Sequence, residues 1–109
     1  MIGKIIEVTV DRPLGSVHPR YKDLRYPVNY GYVKGIVGGD GEEQDVYILG
    51  VDQPVSLFSG RIIAIIHRLN DAEDKWVVAP EGVSFEKDEI ARLVEFQEKY
   101  FDIEIITEI

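Results

Sequence analysis

The sequence predicts a mainly β, α+β domain: a small closed or partly open β-barrel with one helix packed on it near the C-terminus. Three observations carry this. Strand-like runs recur every 10 to 15 residues, helical spacing appears once, after Ser84, and no repeat, linker or low-complexity tract divides the chain. At 109 residues with 45% hydrophobic content, the chain has material for one core, so residues 1–109 are read as one domain.

The elements follow in order. In KIIEVTVD, residues 4–11, Ile6, Val8 and Val10 share one face and Glu7, Thr9 and Asp11 the other, as in a half-buried strand. Pro13 and Pro19, with Gly15 and Ser16 between them, then impose a shaped loop up to Lys22. Strand character resumes at Leu24 and runs through RYPVNYGYVKGIV, where Tyr26, Val28, Tyr30 and Tyr32 share a parity and Pro27 demands an edge or a bulge. DVYILGV (45–51), RIIAIIHRL (61–69) and KWVVAP (75–80) are three further strands, the second apolar enough to be buried on both faces. Ser84 reads as a helix N-cap, with Glu86, Asp88 and Glu89 complementing the helix dipole. Ile90, Leu93, Val94, Gln97 and Phe101 then give one apolar stripe as far as about Tyr100, and DIEIITEI (102–109) reads as a last short strand.

Composition excludes several functions. Acidic residues outnumber basic ones 20 to 12, for a net charge of -8, so the chain repels phosphate backbones and anionic membranes at long range. An OB-type nucleic-acid binder pairs its aromatics with a basic groove and this chain is strongly acidic, so neither nucleic acid nor membrane is expected as a partner. There is no cysteine, hence no disulfide and no thiolate metal site. Glu7 and Asp11 interrupt the N-terminus before any apolar run reaches signal-peptide length, and no stretch approaches a membrane span. The simplest reading is a soluble cytoplasmic protein.

The chemistry concentrates in two acidic loops. GGDGEEQDV, residues 38–46, precedes a strand, and Asp40 and Asp45 converge only if the chain folds back between them; Gly38, Gly39 and Gly41 permit this because they tolerate positive φ. Converging carboxylates repel unless a cation lies between them, and magnesium (Mg2+) suits one or two protein carboxylates plus phosphate oxygens. Taken alone, the loop reads first as a solvated turn, since acidic turns are common. NDAEDK, residues 70–75, supplies a second acidic loop with Asp71, Glu73 and Asp74. Two such loops at the ends of neighbouring strands can face one cavity at a barrel mouth, beside Tyr26, Tyr30 and Tyr32 and phosphate-clamping Arg12 and Arg25. His18 and His67 have no partner at zinc-ligand spacing, and glycine-loop and nucleophile-elbow motifs are absent. What remains suits phosphoanhydride hydrolysis by a metal-activated water.

In order, VDRPLGS, YPVNYGYVKGIVGGDGEEQDV and GRIIAIIHRLNDAEDKWVVAP resemble the soluble family I inorganic pyrophosphatases, whose signature is YPxNYGY followed by D-G-D-P-x-D-V. The resemblance spans roughly residues 5–80 and extends more weakly into EFQEKYFD. It implies a five-stranded OB-like barrel, pyrophosphate as substrate, magnesium as cofactor and a homo-oligomer. Carried over by position, Asp40, Asp45 and Asp71 are metal ligands, Glu73 or Asp74 supplies a fourth carboxylate, and Glu7 matches a first-strand glutamate near the metals. Arg12, Tyr30, Lys75 and Tyr100 contact phosphate or order the site; Arg25, outside the carried-over set, is a further phosphate contact from its own chemistry. Asp45, Glu42 and Tyr30 are the catalytic candidates.

This chain departs from the pattern at several points. A hairpin bearing a Lys-Tyr-Glu element is missing before VDR, the signature loop reads DGEEQD with Glu42 and Glu43 in the places of aspartate and proline, and NDAEDK is short. Phe101 stands where the family has a phosphate-binding lysine, and Arg20, Lys22 or Arg25 are available to replace lost donors. The leading expectation is magnesium-dependent hydrolysis of pyrophosphate. The alternatives are hydrolysis of another small phosphoanhydride, or an OB-like module that binds a phosphorylated metabolite or a partner without turnover.

Overall fold

The structure, a computed structural model, describes residues 1–107. Six strands and one helix follow in the order β1 (Ile5–Arg12), β2 (Asn29–Val37), β3 (Glu43–Ile48), β4 (Leu57–Arg68), β5 (Asp74–Ala79), α1 (Lys87–Glu98) and β6 (Ile103–Ile106). The sheet runs β1-β2-β3-β5-β4-β6, and β1 also pairs with β4, which closes a five-stranded barrel and leaves β6 attached outside it. Only β3 and β5 are parallel; the other pairs are antiparallel. The expected five-stranded barrel with a C-terminal helix is the fold observed. Among the described residues no helix is long and apolar enough to cross a membrane.

Strand parity sorts the side chains into two cores. Val46, Ile48, Trp76 and Val78 join Ile6, Val8 and Val10 inside the barrel. Tyr47, Leu49 and Val77, pointing the other way, join Tyr26, Val28 and Tyr30 beneath Ile90 and Val94 of α1. β3 and β5 are therefore covered on both faces, and each fully buried aliphatic side chain contributes about 1.5–3 kcal/mol.

β4 behaves differently from the sequence reading. Its burial alternates, with Ile62, Ala64, Ile66 and Arg68 buried and His67 exposed, and a bulge interrupts its pairing with β5: Ile62 faces Val78 while Ala64 faces Val77. One extra residue in β4 reverses the faces beyond it. Ile62 thus enters the barrel interior, whereas Ala64 and Ile66 enter the core under the helix.

Several boundaries also differ, among them the start of β4 at Leu57 rather than residue 61. β2 begins at Asn29 rather than Leu24, since Pro27 has no N–H for a ladder; residues 15–26 instead close a narrow loop through Gly15 N to Tyr26 O (2.7 Å) and Tyr26 N to Ser16 O (2.9 Å). The helix is capped at Glu86, not Ser84: Phe85 packs into the core below, and the Glu89 carboxylate accepts the Glu86 amide at 3.0 Å. Of the predicted last strand, residues 108–109 lie outside the described residues, and the part that forms is shorter, Ile103–Ile106.

Candidate active site

The two acidic loops touch. A Cβ on Gly39 would lie 2.1 Å from the carbonyl oxygen of Ala72, so only glycine permits this approach. Of the three glycines expected to turn the chain, Gly41 alone has positive φ (83°). The fold-back closes through Gly38 N to Glu42 O (2.7 Å), and the Asp40 side chain accepts the Glu42 amide at 3.0 Å. This amide, then a hydrogen bond from Glu73, holds the Asp40 carboxyl below its ordinary pKa.

Beside these loops lies a cavity of about 790 Å³. Asp11 and Arg12 from the end of β1, Tyr30 of β2, Asp45 of β3, Arg68 of β4 and Lys75 of β5 reach it, together with Glu73, Gln97 and the segment Lys99–Phe101. Strand register places them: Arg12 sits opposite Tyr30 after a bulge in β1, and pairing of Val46 with Trp76 sets Asp45 beside Lys75. His18, Tyr21, Asp23 and Leu24, from the segment between Pro13 and Pro27, also line it.

At its floor the Lys75 ammonium, 3% exposed, lies 2.6 Å from Asp45 Oδ2 and 2.8 Å from Glu73 Oε1. Arg68, 5% exposed, makes two bonds to Glu98, Nε to Oε1 (2.9 Å) and Nη2 to Oε2 (2.6 Å), and its Nη1 reaches Glu73 at 3.1 Å and Asp71 at 3.4 Å. Burial works against the Arg68 charge, but the Glu98 hydrogen bonds and charge outweigh it and raise the pKa above the ordinary arginine value. Glu73 moves upward: burial and the nearby Asp40 outweigh the pull of Lys75. The ring of Phe101 lies under the Arg68 guanidinium, 3.7 Å from its carbon.

A second chain of hydrogen bonds ties the wall to the helix. Arg12 Nη1 donates to Tyr26 Oη (2.8 Å), Tyr26 to Gln97 Oε1 (3.0 Å), Gln97 Nε2 to Tyr47 Oη (2.7 Å) and Tyr47 to Glu98 Oε2 (2.6 Å). Tyr30 and Tyr47 have pKa values pushed well above 10 by burial and then by nearby carboxylates, so both are neutral donors rather than bases. Burial raises Asp11 as well, against Arg12. His18 Nδ1 accepts the amides of Arg20 (3.0 Å) and Tyr21 (3.1 Å), which leaves the proton on Nε2. Its pKa is lowered, by burial and then by Arg12 and Arg20.

With this geometry in place, residues 4–104 match the family described as inorganic pyrophosphatase. The chain belongs to the inorganic pyrophosphatase family. Its fold is similar to that of the inorganic pyrophosphatase of Neisseria gonorrhoeae (22% identity, TM-score 0.70, covering 90% of this chain and 74% of that one). The enzymes of Ehrlichia chaffeensis (19%, 0.73, 95% and 85%) and Helicobacter pylori (16%, 0.71, 96% and 85%) share it too. No curated relative matches the chain. Membership makes it an inorganic diphosphatase acting on pyrophosphate, and it implies a metal cofactor.

Within the family frame, the predicted residues separate. Arg12, Tyr30, Asp45, Glu73, Lys75 and Tyr100 line the cavity. Asp40 and Asp71 stand behind it, in contact with Glu73 and Arg68 respectively. Of Glu73 and Asp74, Glu73 lines the cavity, whereas Asp74 pairs with His67 Nδ1 at 2.7 Å. Glu7 is exposed on β1 opposite Ser59, Glu42 is exposed at the tip of its loop, and Arg25 donates to Gly15 O at 2.7 Å; none of the three lines the cavity. Sequence reasoning missed Asp11, Arg68, Gln97, Glu98 and Lys99. One signal was available: Glu98 continues the Ile90–Val94 spacing, a carboxylate on an apolar stripe.

The metal expectation fares less well. Among the described residues no three His, Asp or Glu side chains converge as a ligand set. Asp45 and Glu73 flank an ammonium, and Asp71 is held by a guanidinium. The donors as arranged do not fit a resident divalent ion.

Proposed function

We propose that the cavity holds pyrophosphate with Arg12, Lys75 and Lys99 on its phosphoryl oxygens and Tyr30 as a neutral hydrogen-bond donor, and that Asp45 accepts the proton of the attacking water. One observation carries this: four side chains of the expected types, on four different strands, converge on one cavity of a family member. The water oxygen forms a bond to phosphorus, the bridging P–O bond breaks, and a second phosphate leaves. Cations held in place before reaction stabilise the charge that develops on the transferred group. Magnesium dependence was expected from the sequence, but this reading assigns it no step.

The test is phosphate release from pyrophosphate, with and without Mg2+, beside Asp45→Asn as control. A rate in the wild type no higher than in the control sinks the reading. One observation favours the alternative of binding without turnover: the Asp45 carboxylate is already hydrogen-bonded to Lys75 at 2.6 Å. That alternative predicts diphosphate binding with no phosphate released.

A further inference from the structure

Two protein cations occupy the ground between the acidic loops. Lys75 bridges Asp45 and Glu73, and Arg68 bridges Glu73, Asp71 and Glu98, so every carboxylate at the cavity floor has a cationic partner from the chain itself. Arg68 is not a mobile surface charge: it is buried, doubly bonded to Glu98 and stacked on Phe101, the residue standing where the family pattern has a lysine. A magnesium ion demands near-octahedral oxygen ligands, and one oxygen of each carboxylate it would need here, Asp45 Oδ2, Glu73 Oε1 and Asp71 Oδ2, already faces a protein cation. Adding a divalent charge beside a buried ammonium and a buried guanidinium would be electrostatically unfavourable. The cavity still offers cationic donors to an anion, since Arg12 uses one donor on Tyr26 and the three-donor Lys75 ammonium uses two on carboxylates.

We infer that this site takes its diphosphate ligand as the free, metal-free anion, with Lys75 and Arg68 standing in for a divalent ion between the acidic loops. The inference rests on reading the cavity as a diphosphate site. It makes Arg68 a positioning residue: it neutralises Glu73 and Asp71 and leaves Lys75 to face the ligand.

Two measurements on the full chain, stripped of metals by a chelator, test it. Calorimetric titration with methylenediphosphonate, a non-hydrolysable diphosphate, is expected to show binding without divalent ions. Lys75→Gln should weaken it roughly 10-fold or more, the value of one charged hydrogen bond, and Lys75→Arg should restore part of it, which separates loss of charge from loss of fold. Titration of Mn2+ followed by electron paramagnetic resonance should leave the free-ion signal intact with the wild type and reduce it with Lys75→Gln, where Asp45 and Glu73 are released. Binding of the analogue only when a divalent ion is present, no binding in either condition, or stoichiometric loss of the Mn2+ signal on the wild type overturns the inference. Metal-free binding without phosphate release from pyrophosphate would remove the hydrolytic reading and leave the inference standing. Mg2+-dependent release with Mn2+ bound would do the reverse.

Discussion

Arg68, the last residue of β4, and Glu98, the last residue of α1, are joined by two parallel hydrogen bonds of 2.9 and 2.6 Å, with both side chains almost wholly buried. This pair fastens the helix to the barrel beside the cavity. Removing one partner leaves a buried charge alone, at a cost of about 3–5 kcal/mol, whereas replacing both with apolar groups is far milder. Arg68→Met should therefore lower stability in urea unfolding by about that amount, and Arg68→Met combined with Glu98→Met should recover much of it. Equal losses in the single and double variants would contradict the pairing.

Contact between the acidic loops gives a second expectation. Gly39→Ala forces a methyl against the Ala72 carbonyl, and overpacking of this kind costs about 1–3 kcal/mol. Both the thermal midpoint and the affinity for methylenediphosphonate should fall. An unchanged midpoint would mean that the loops separate freely.

Glu73 sets a pH dependence. Its pKa in the folded chain is raised above 4.5, by burial first and also by Asp40, so its contribution to stability is fully present below 4.5 and is lost as pH rises through the folded value. Asp40 acts in the opposite sense: its pKa is lowered from 3.8, so its contribution is present above that value and is lost as pH falls through the folded one. The stability of the wild type relative to Glu73→Gln should decline as pH rises through and above 4.5, in denaturant titrations of both proteins. A difference that grows over that range would reverse the assignment.

Tyr30 is predicted to act as a donor that never ionises in the working range. With its pKa well above 10, Tyr30→Phe should weaken the diphosphate complex or slow turnover by roughly 10-fold, the value of a hydrogen bond to a charged group, without altering the alkaline side of the pH profile. A shift of the alkaline limb in the variant would instead identify Tyr30 as a titrating group.

Much of this was legible in the chain. Alternation in IIEVTVDR, the proline-bounded loop and the apolar runs located β1, β3, β4 and β5, because period-2 patterning and backbone restriction act locally. Of the YPVNYGY tyrosines expected beside the cavity, only Tyr30 lines it, with Asp45 and Lys75, while Tyr26 is buried in the core under the helix and Tyr32 does not reach it. Boundaries were harder to place. Phe85 could be seated in the core, and Glu86 made the cap, only once the helix had something to pack against. Glu7, Glu42 and Arg25 were grouped with the site by sequence position, yet their side chains leave it on exposed backbone.

The pattern of residue types suffices for a small acidic barrel with one helix, two acidic loops beside a tyrosine-bearing strand, and likeness to a family of diphosphatases. Tertiary structure alone decided which charges meet. The bulge after Ile62 reverses the faces of β4, so Arg68 ends on the helix side, against Glu98 and Phe101, rather than inside the barrel. The parallel register of β3 and β5 sets Lys75 between Asp45 and Glu73. A one-residue bulge or a register leaves no trace in a pattern of residue types, because it is fixed by the pairing of strands distant in the chain. It nonetheless determines whether the acidic loops meet a metal ion or the protein's own cations.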